Sequence, residues 1–110
     1  MTDQENNAFK VIDVHEAKTM IDAQDVQIID SREADEHESG HVPDSINIPH
    51  METFNRIAEI ATDKPVLFIC KAGQRSAVAA EFAFAAGLTN ELFNVDGGHD
   101  AWEESGYPLS

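Results

Sequence analysis

Short apolar runs alternate with segments of helical spacing along most of this chain. Phe9 to Ile12 predicts a brief strand. Asp13 follows as a helix N-cap with Glu16 three residues on, a capping-box spacing that starts a helix running to about Asp22. Val26 to Ile29 is β-branched and continuous enough for a buried strand, and Ile46 to Ile48 predicts a smaller one. Between them, "SREADEHESGHVPDS" suits one short helix and a turn around Gly40 and Pro43. Met51, Phe54, Ile57, Ala58 and Ala61 recur three or four apart, which predicts a helix with one apolar face. Pro65 to Ile69 is the most hydrophobic strand candidate. The helix from Arg75 or Ser76 to Ala86 carries only Glu81 as a charge, implying burial nearly all round, and ends at Gly87. Glu91 to Val95 predicts the last strand, Gly97-Gly98 a turn, and Asp100 to Ser105 a final short helix.

Strands separated throughout by helical segments imply an α/β fold: a parallel sheet with helices on both faces. In such sheets ligands bind beyond the carboxyl ends of the strands. The polar, acidic residues 1–8 read as a flexible tail, and residues 9–110 as one domain. No apolar run approaches the roughly 20 residues that cross a bilayer, and the first residues lack the basic and apolar regions of a secretory signal, so the cytoplasm is expected.

Charge sharpens the picture. Seven basic residues face 21 acidic ones, for a formal net charge of -14. That surface repels nucleic-acid phosphates and favours solubility, and without an evident apolar patch a monomer is expected. The five histidines, His15, His37, His41, His50 and His99, form no tight ligand motif, and no metal or cofactor is expected. His41 and His99 stand where neighbouring loops can approach the strand end after Ile69.

Candidate chemistry gathers at that strand end. The single cysteine, Cys70, excludes an intramolecular disulfide and serves either packing or chemistry. It lies between the Pro65–Ile69 strand and the next helix, followed by Lys71-Ala72-Gly73-Gln74-Arg75-Ser76. In that setting successive backbone N–H groups converge on one spot and the helix start adds partial positive charge, a place for an anion. The first anion to fill it is the thiolate, whose pKa falls from about 8.5 beside a helix N-terminus and Lys or Arg. Lys71 and Arg75, two of the seven basic residues, would draw a small anionic substrate. Asp30 and Arg32 follow a strand on the same carboxyl edge.

Three stretches together resemble the rhodanese family of sulfurtransferases, which carry sulfur as a cysteine persulfide. "CKAGQRS" is similar to the family's active-site loop. "IIDSREADEHESGHVPDSINIP" resembles its first signature, and "VDGGHDAW" its closing segment. The likeness covers about residues 9 to 108. Two positions depart from it: His37 stands where an aromatic residue often precedes the Gly-His turn, and Asp44-Ser45 where Gly-Ala usually follows the proline.

The resemblance implies a sheet of about five strands and thiosulfate sulfurtransferase activity. Cys70 would be the nucleophile. The backbone N–H groups of Lys71, Ala72, Gly73, Gln74, Arg75 and Ser76 would bind the persulfide or anion, with Lys71 and Arg75 assisting electrostatically. Asp30 and Arg32 would brace neighbouring loops. Trp102, apart from the resemblance, is expected to close the core at the final helix rather than to stack on a substrate. With no second cysteine the chain needs an external acceptor: cyanide, or a cellular thiol such as thioredoxin, glutathione or a sulfur-relay protein. Two alternatives stand beside this reading. One is a catalytically idle binding or sulfur-carrier module. The other is a cysteine phosphatase or arsenate reductase, against which the loop length speaks: phosphatases of this kind place five residues between cysteine and arginine, and here there are four, Lys71 to Gln74.

Overall fold

In the computed structural model, which describes residues 8–23 and 25–110, five strands form one parallel sheet in the order β1-β5-β4-β2-β3. The strands are β1 (Lys10–Ile12), β2 (Gln27–Asp30), β3 (Ile46–Asn47), β4 (Val66–Ile69) and β5 (Leu92–Val95). The helices are α1 (Val14–Asp22), α2 (Ala34–Glu38), α3 (Gln74–Ala85) and α4 (Gly98–Glu104). The tail expected over residues 1–8 lies outside the described residues except for Ala8, which packs against the core.

Side-chain alternation along the strands builds two cores. Ile29, Val66, Phe68 and Leu92 face Ala79, Ala80 and Ala83 of α3. Ile28, Leu67, Ile69, Phe93 and Val95 face the other way, towards Val14 and Ala17 of α1 and Trp102 of α4. Trp102 is buried, as the sequence implies, and its indole N–H donates to the Pro108 carbonyl at 2.8 Å. β4 lies in the centre of the sheet, paired with β2 through Asp30↔Ile69 and with β5 through Phe68↔Asn94. The carboxyl end of β4 is therefore flanked by two neighbouring strand ends, which is what positions the residues after Ile69.

α1 begins where the cap predicts: the Asp13 carboxylate accepts the Glu16 N–H at 2.8 Å. Two expectations are corrected. The helix predicted over Met51 to Ala61 is instead a pair of 3-10 turns, His50–Glu52 and Ile57–Glu59. Thr53 and Ile60, both absent from the predicted apolar face, are the buried residues, the Thr53 hydroxyl donating to the His50 carbonyl, while Met51 and Phe54 remain exposed. Local hydroxyl-to-carbonyl bonding of this kind competes with a continuous helix. The guanidinium of Arg56, held by Glu52, Glu59 and the Asn47 carbonyl, fixes the broken path.

The second correction concerns α3. Its buried face is small, Ser76, Ala79, Ala80 and Ala83, whereas Val78 and Phe84 are exposed. Apolar composition overstated the burial because alanine serves close approach to the sheet on one side and helix propensity on the other. α4 starts at Gly98 rather than Asp100, with Gly97 as its left-handed N-cap at φ 82°. Asp44 adopts φ 69°, a conformation that aspartate tolerates better than most residues.

Candidate active site

Cys70 leaves the end of β4 with 1% of its surface exposed. Its carbonyl accepts two bonds from His99, from the backbone N–H at 2.8 Å and from Nδ1 at 2.9 Å. The Lys71 carbonyl accepts the Asp100 N–H at 3.0 Å. The first turn of α4 thus draws the loop's carbonyls to itself, and the amides that follow turn the other way, towards the sulfur. The Gly73 N–H donates to Cys70 Sγ at 3.1 Å, and Gly73 takes φ 115°, a conformation that glycine adopts without steric cost. At Gly98 the requirement is space: a Cβ there would overlap the carbonyl oxygens of Cys70 and Lys71.

Burial by itself raises the pKa of the Cys70 thiol. Hydrogen bonds from the Ser76 hydroxyl and from the N–H groups of Ser76, Gly73 and Ala72 outweigh it and hold the thiol below its ordinary value. Such a ring of donors suits a thiolate or another compact anion at the same spot.

Cys70, Ala72, Gly73 and Ser76 therefore meet at the sulfur, while Gln74 opens α3 as an exposed residue. The two cations beside them are each engaged by a carboxylate. Arg75 forms a two-pronged pair with Glu36 of α2, at 2.7 and 3.0 Å. The Arg75 hydrogen bond lowers the pKa of Glu36 to about 2. Lys71 Nζ lies 2.7 Å from Asp100 Oδ1, in solvent.

Asp30 and Arg32 occupy the adjacent end of β2. Arg32 binds the Asp30 carboxylate through Nε and Nη2, the latter at 2.8 Å, and donates from Nη2 to the Gly40 carbonyl at 2.7 Å. Burial raises the Asp30 pKa, but the bonds from Arg32 and His37 and the nearby His99 together hold it below its ordinary value. His37 Nδ1 reaches Asp30 at 2.9 Å, and the rings of His37 and His41 stack with centroids 3.8 Å apart, although Gly40 ends the helical path between them. His99 is buried, and burial lowers its pKa. Its Nδ1 must carry the proton, because the Cys70 carbonyl can only accept, which leaves Nε2 as a bare acceptor without a partner among the described residues.

One residue at this site was not singled out from the sequence. Asn94, in the middle of β5, accepts from the Ser76 hydroxyl at Oδ1 (2.5 Å) and donates from Nδ2 to the Gly73 carbonyl (3.1 Å). A signal existed: Asn94 is the polar residue in the otherwise apolar run Leu92-Phe93-Asn94-Val95. A cleft of about 480 Å³, lined by Phe9, Phe84, Leu88 and Leu92, lies at the opposite, amino end of the sheet. No helix among the described residues is long and apolar enough to cross a membrane.

A five-stranded parallel sheet whose central strand delivers a cysteine into a ring of amides defines a class, and sequence comparison agrees: the rhodanese-like domain matches residues 13–105, and this chain belongs to that family. Among its relatives, the thiosulfate sulfurtransferase GlpE of Pseudoalteromonas translucida is 30% identical over 96 residues, spanning 87% of this chain and 90% of that protein. The crystal structure of a rhodanese-related protein from Thermoplasma volcanium is similar with a TM-score of 0.78 and 32% identity, covering 93% of this chain and 98% of that one. A thiosulfate sulfurtransferase from Pseudomonas aeruginosa superposes with a TM-score of 0.84 at 27% identity, covering 93% of this chain and 20% of that longer one.

Proposed function

We propose that this protein is a sulfurtransferase that moves sulfane sulfur from thiosulfate, or a related small anionic donor, to a thiophilic acceptor through a persulfide on Cys70. The Cys70 thiolate attacks the outer sulfur of thiosulfate. The sulfur–sulfur bond of the donor breaks, sulfite leaves with the electron pair, and Cys70 holds the transferred sulfur as a persulfide anion. Cyanide or a thiolate then attacks that terminal sulfur and returns the Cys70 thiolate. Because Cys70 is the sole cysteine, release depends on an external acceptor, for which thioredoxin, glutathione or a sulfur-relay protein has the required thiol. The cytoplasm, where thiols stay reduced, suits both partners.

The observation that carries this reading is the ring of N–H donors closing on Sγ, with Gly73 N–H at 3.1 Å. The ring stabilises negative charge both before and after transfer, and its donors are already in place when the charge arrives. Lys71 and Arg75 assist from the rim through charge, Ser76 from within the ring, and Asp30 with Arg32 braces the adjoining loops. The Lys71-to-Gln74 spacing, one residue shorter than in the related phosphatases, favours a single sulfur over a phosphate ester.

A thiosulfate-to-cyanide assay beside Cys70→Ser, with intact mass after thiosulfate treatment, tests the proposal. Turnover and the gain of one sulfur atom are expected, both lost in the variant. An adduct without turnover would make the protein a sulfur carrier. Neither adduct nor turnover would refute the proposal in favour of phosphoryl or arsenate chemistry or a binding module.

A further inference from the structure

Ser76 has one hydroxyl proton and two neighbours that call for it. Cys70 Sγ lies 3.3 Å from its Oγ, and Asn94 Oδ1 lies 2.5 Å away. The amide of Asn94 cannot turn to relieve the conflict, because Nδ2 donates to the Gly73 carbonyl, and a flip would set two carbonyl oxygens against each other. All three groups are buried, so water does not supply the missing donor.

With Cys70 as a thiol the chain of donors closes: S–H to Ser76 Oγ, then Oγ–H to Asn94 Oδ1. With Cys70 as a thiolate it cannot. Either the hydroxyl turns to the sulfur and leaves Asn94 Oδ1 facing an oxygen lone pair, or it stays on Asn94 and presents its own lone pair to the anion. Both arrangements cost free energy in a dry site. A persulfide removes the conflict, because its inner sulfur is neutral and the charge sits on the outer one.

The geometry points to Asn94 as a positioning residue that governs Cys70 through Ser76: by holding the Ser76 hydroxyl it disfavours the bare thiolate and favours the sulfur-loaded form. The loading half of this statement rests on the proposed function; the thiolate half does not. The exchange is Cys70–S⁻ plus thiosulfate giving Cys70–S–S⁻ plus sulfite, with no proton taken up or released, so the Ser76 hydroxyl responds only to where the charge sits. The charged and titratable groups around the sulfur belong to other elements. They are Arg75 with Glu36 from α3 and α2, Lys71 with Asp100 from the loop and α4, and His99 behind the Cys70 carbonyl with Asp30 and Arg32 beyond it. Substitution at Asn94 leaves all of them in place.

Asn94→Leu keeps the approximate shape of the side chain and removes its competition for the proton. In the absence of any sulfur donor, the inflection of Cys70 alkylation with pH should move down by about one unit, a tenfold change in acidity. In a Ser76→Ala background the same substitution should move nothing, which separates this role from mere support of Gly73. An unchanged or raised inflection, or an equal shift without Ser76, overturns the inference. Should Asn94→Leu fail to fold, Asn94→Val, whose β-branched side chain suits a strand and likewise leaves the Ser76 proton free for the sulfur, is read in its place by the same criteria. At a fixed ratio of thiosulfate to sulfite, intact mass should show a several-fold smaller loaded fraction in Asn94→Leu. If the native protein takes up no sulfur, the proposed function falls, and the alkylation titration alone still decides the role of Asn94.

Discussion

A thiol as deeply buried as Cys70 would ordinarily keep its proton, because burial penalises the charged form. Here donors from Ser76, Gly73 and Ala72 reverse that penalty. Alkylation by a small neutral reagent should therefore show an inflection below the free-thiol value of about 8.5, and one at or above it would contradict the donor ring. The sign for stability follows from the same shift. A group whose folded pKa is depressed contributes stability that is fully present above its unfolded pKa and is lost as pH falls through the folded one. Thermal stability should accordingly rise with pH through that window in the native protein, and this rise should vanish in Cys70→Ser. Cys70 and its loop were legible in the sequence because a thiol, two cations and a helix start coincide there. Asn94 was passed over, since one polar residue in a strand reveals its partner only when the fold brings α3 alongside β5.

Between elements, two contacts hold the loop from opposite sides. α4 grips the Cys70 and Lys71 carbonyls, and Gly98 permits the approach. Gly98→Ala should overlap those carbonyls and strain a φ of 54°, costing about 3 kcal/mol and lowering Tm by roughly 15 °C, with loss of Cys70 reactivity beyond that expected from unfolding. A melting curve and an alkylation rate on the folded variant check both effects. On the other side, Glu36 ties α2 to Arg75. Its pKa, lowered to about 2 from a model-peptide value of 4.5, means that the pair stabilises the fold above about pH 4.5 and is lost as pH falls towards 2. Glu36→Gln should cost about 1 kcal/mol at neutral pH, solvent screening included, and should flatten the acid limb of the stability profile. The order of elements and the cap of α1 were legible because apolar spacing and capping are local signals. The segment after Pro49 was not: Met51, Phe54 and Ile57 follow helical spacing, but the hydroxyl of Thr53 and the distant Asn47 carbonyl, which holds Arg56, settle its path. The exposed side of α3 escaped for a related reason, since alanine carries no information about which face meets the sheet.

Across the whole molecule the charge of -14 sets the field through which the donor of the proposed reaction would arrive. With Lys71 and Arg75 each paired to a carboxylate, their pull on a dianion is partly cancelled, and the net surface repels it. Raising ionic strength from about 0.01 M towards 0.15 M should therefore increase kcat/KM for thiosulfate several-fold, while alkylation by an uncharged reagent stays constant. A fall with added salt would mean that the two cations act as free charges despite their partners. The parallel sheet and its carboxyl edge were foreseeable from alternation alone; the strand order that sets β4 between β2 and β5 emerges only from tertiary pairing.

The groups that hold the sulfur belong mostly to the main chain, and this limits what genetics can see. Replacing side chains one by one leaves the N–H groups of Ala72, Gly73 and Ser76 in place, so a conventional scan would credit the anchors and overlook the instrument. The informative change is atomic: glycolic acid in place of Gly73, an ester for an amide, deletes the single donor 3.1 Å from the sulfur and leaves every side chain as it was. Chemical synthesis is within reach for a chain of 110 residues. The same property leaves the sequence around the loop free to vary: what must be kept is the path of the backbone, which many different sequences can draw.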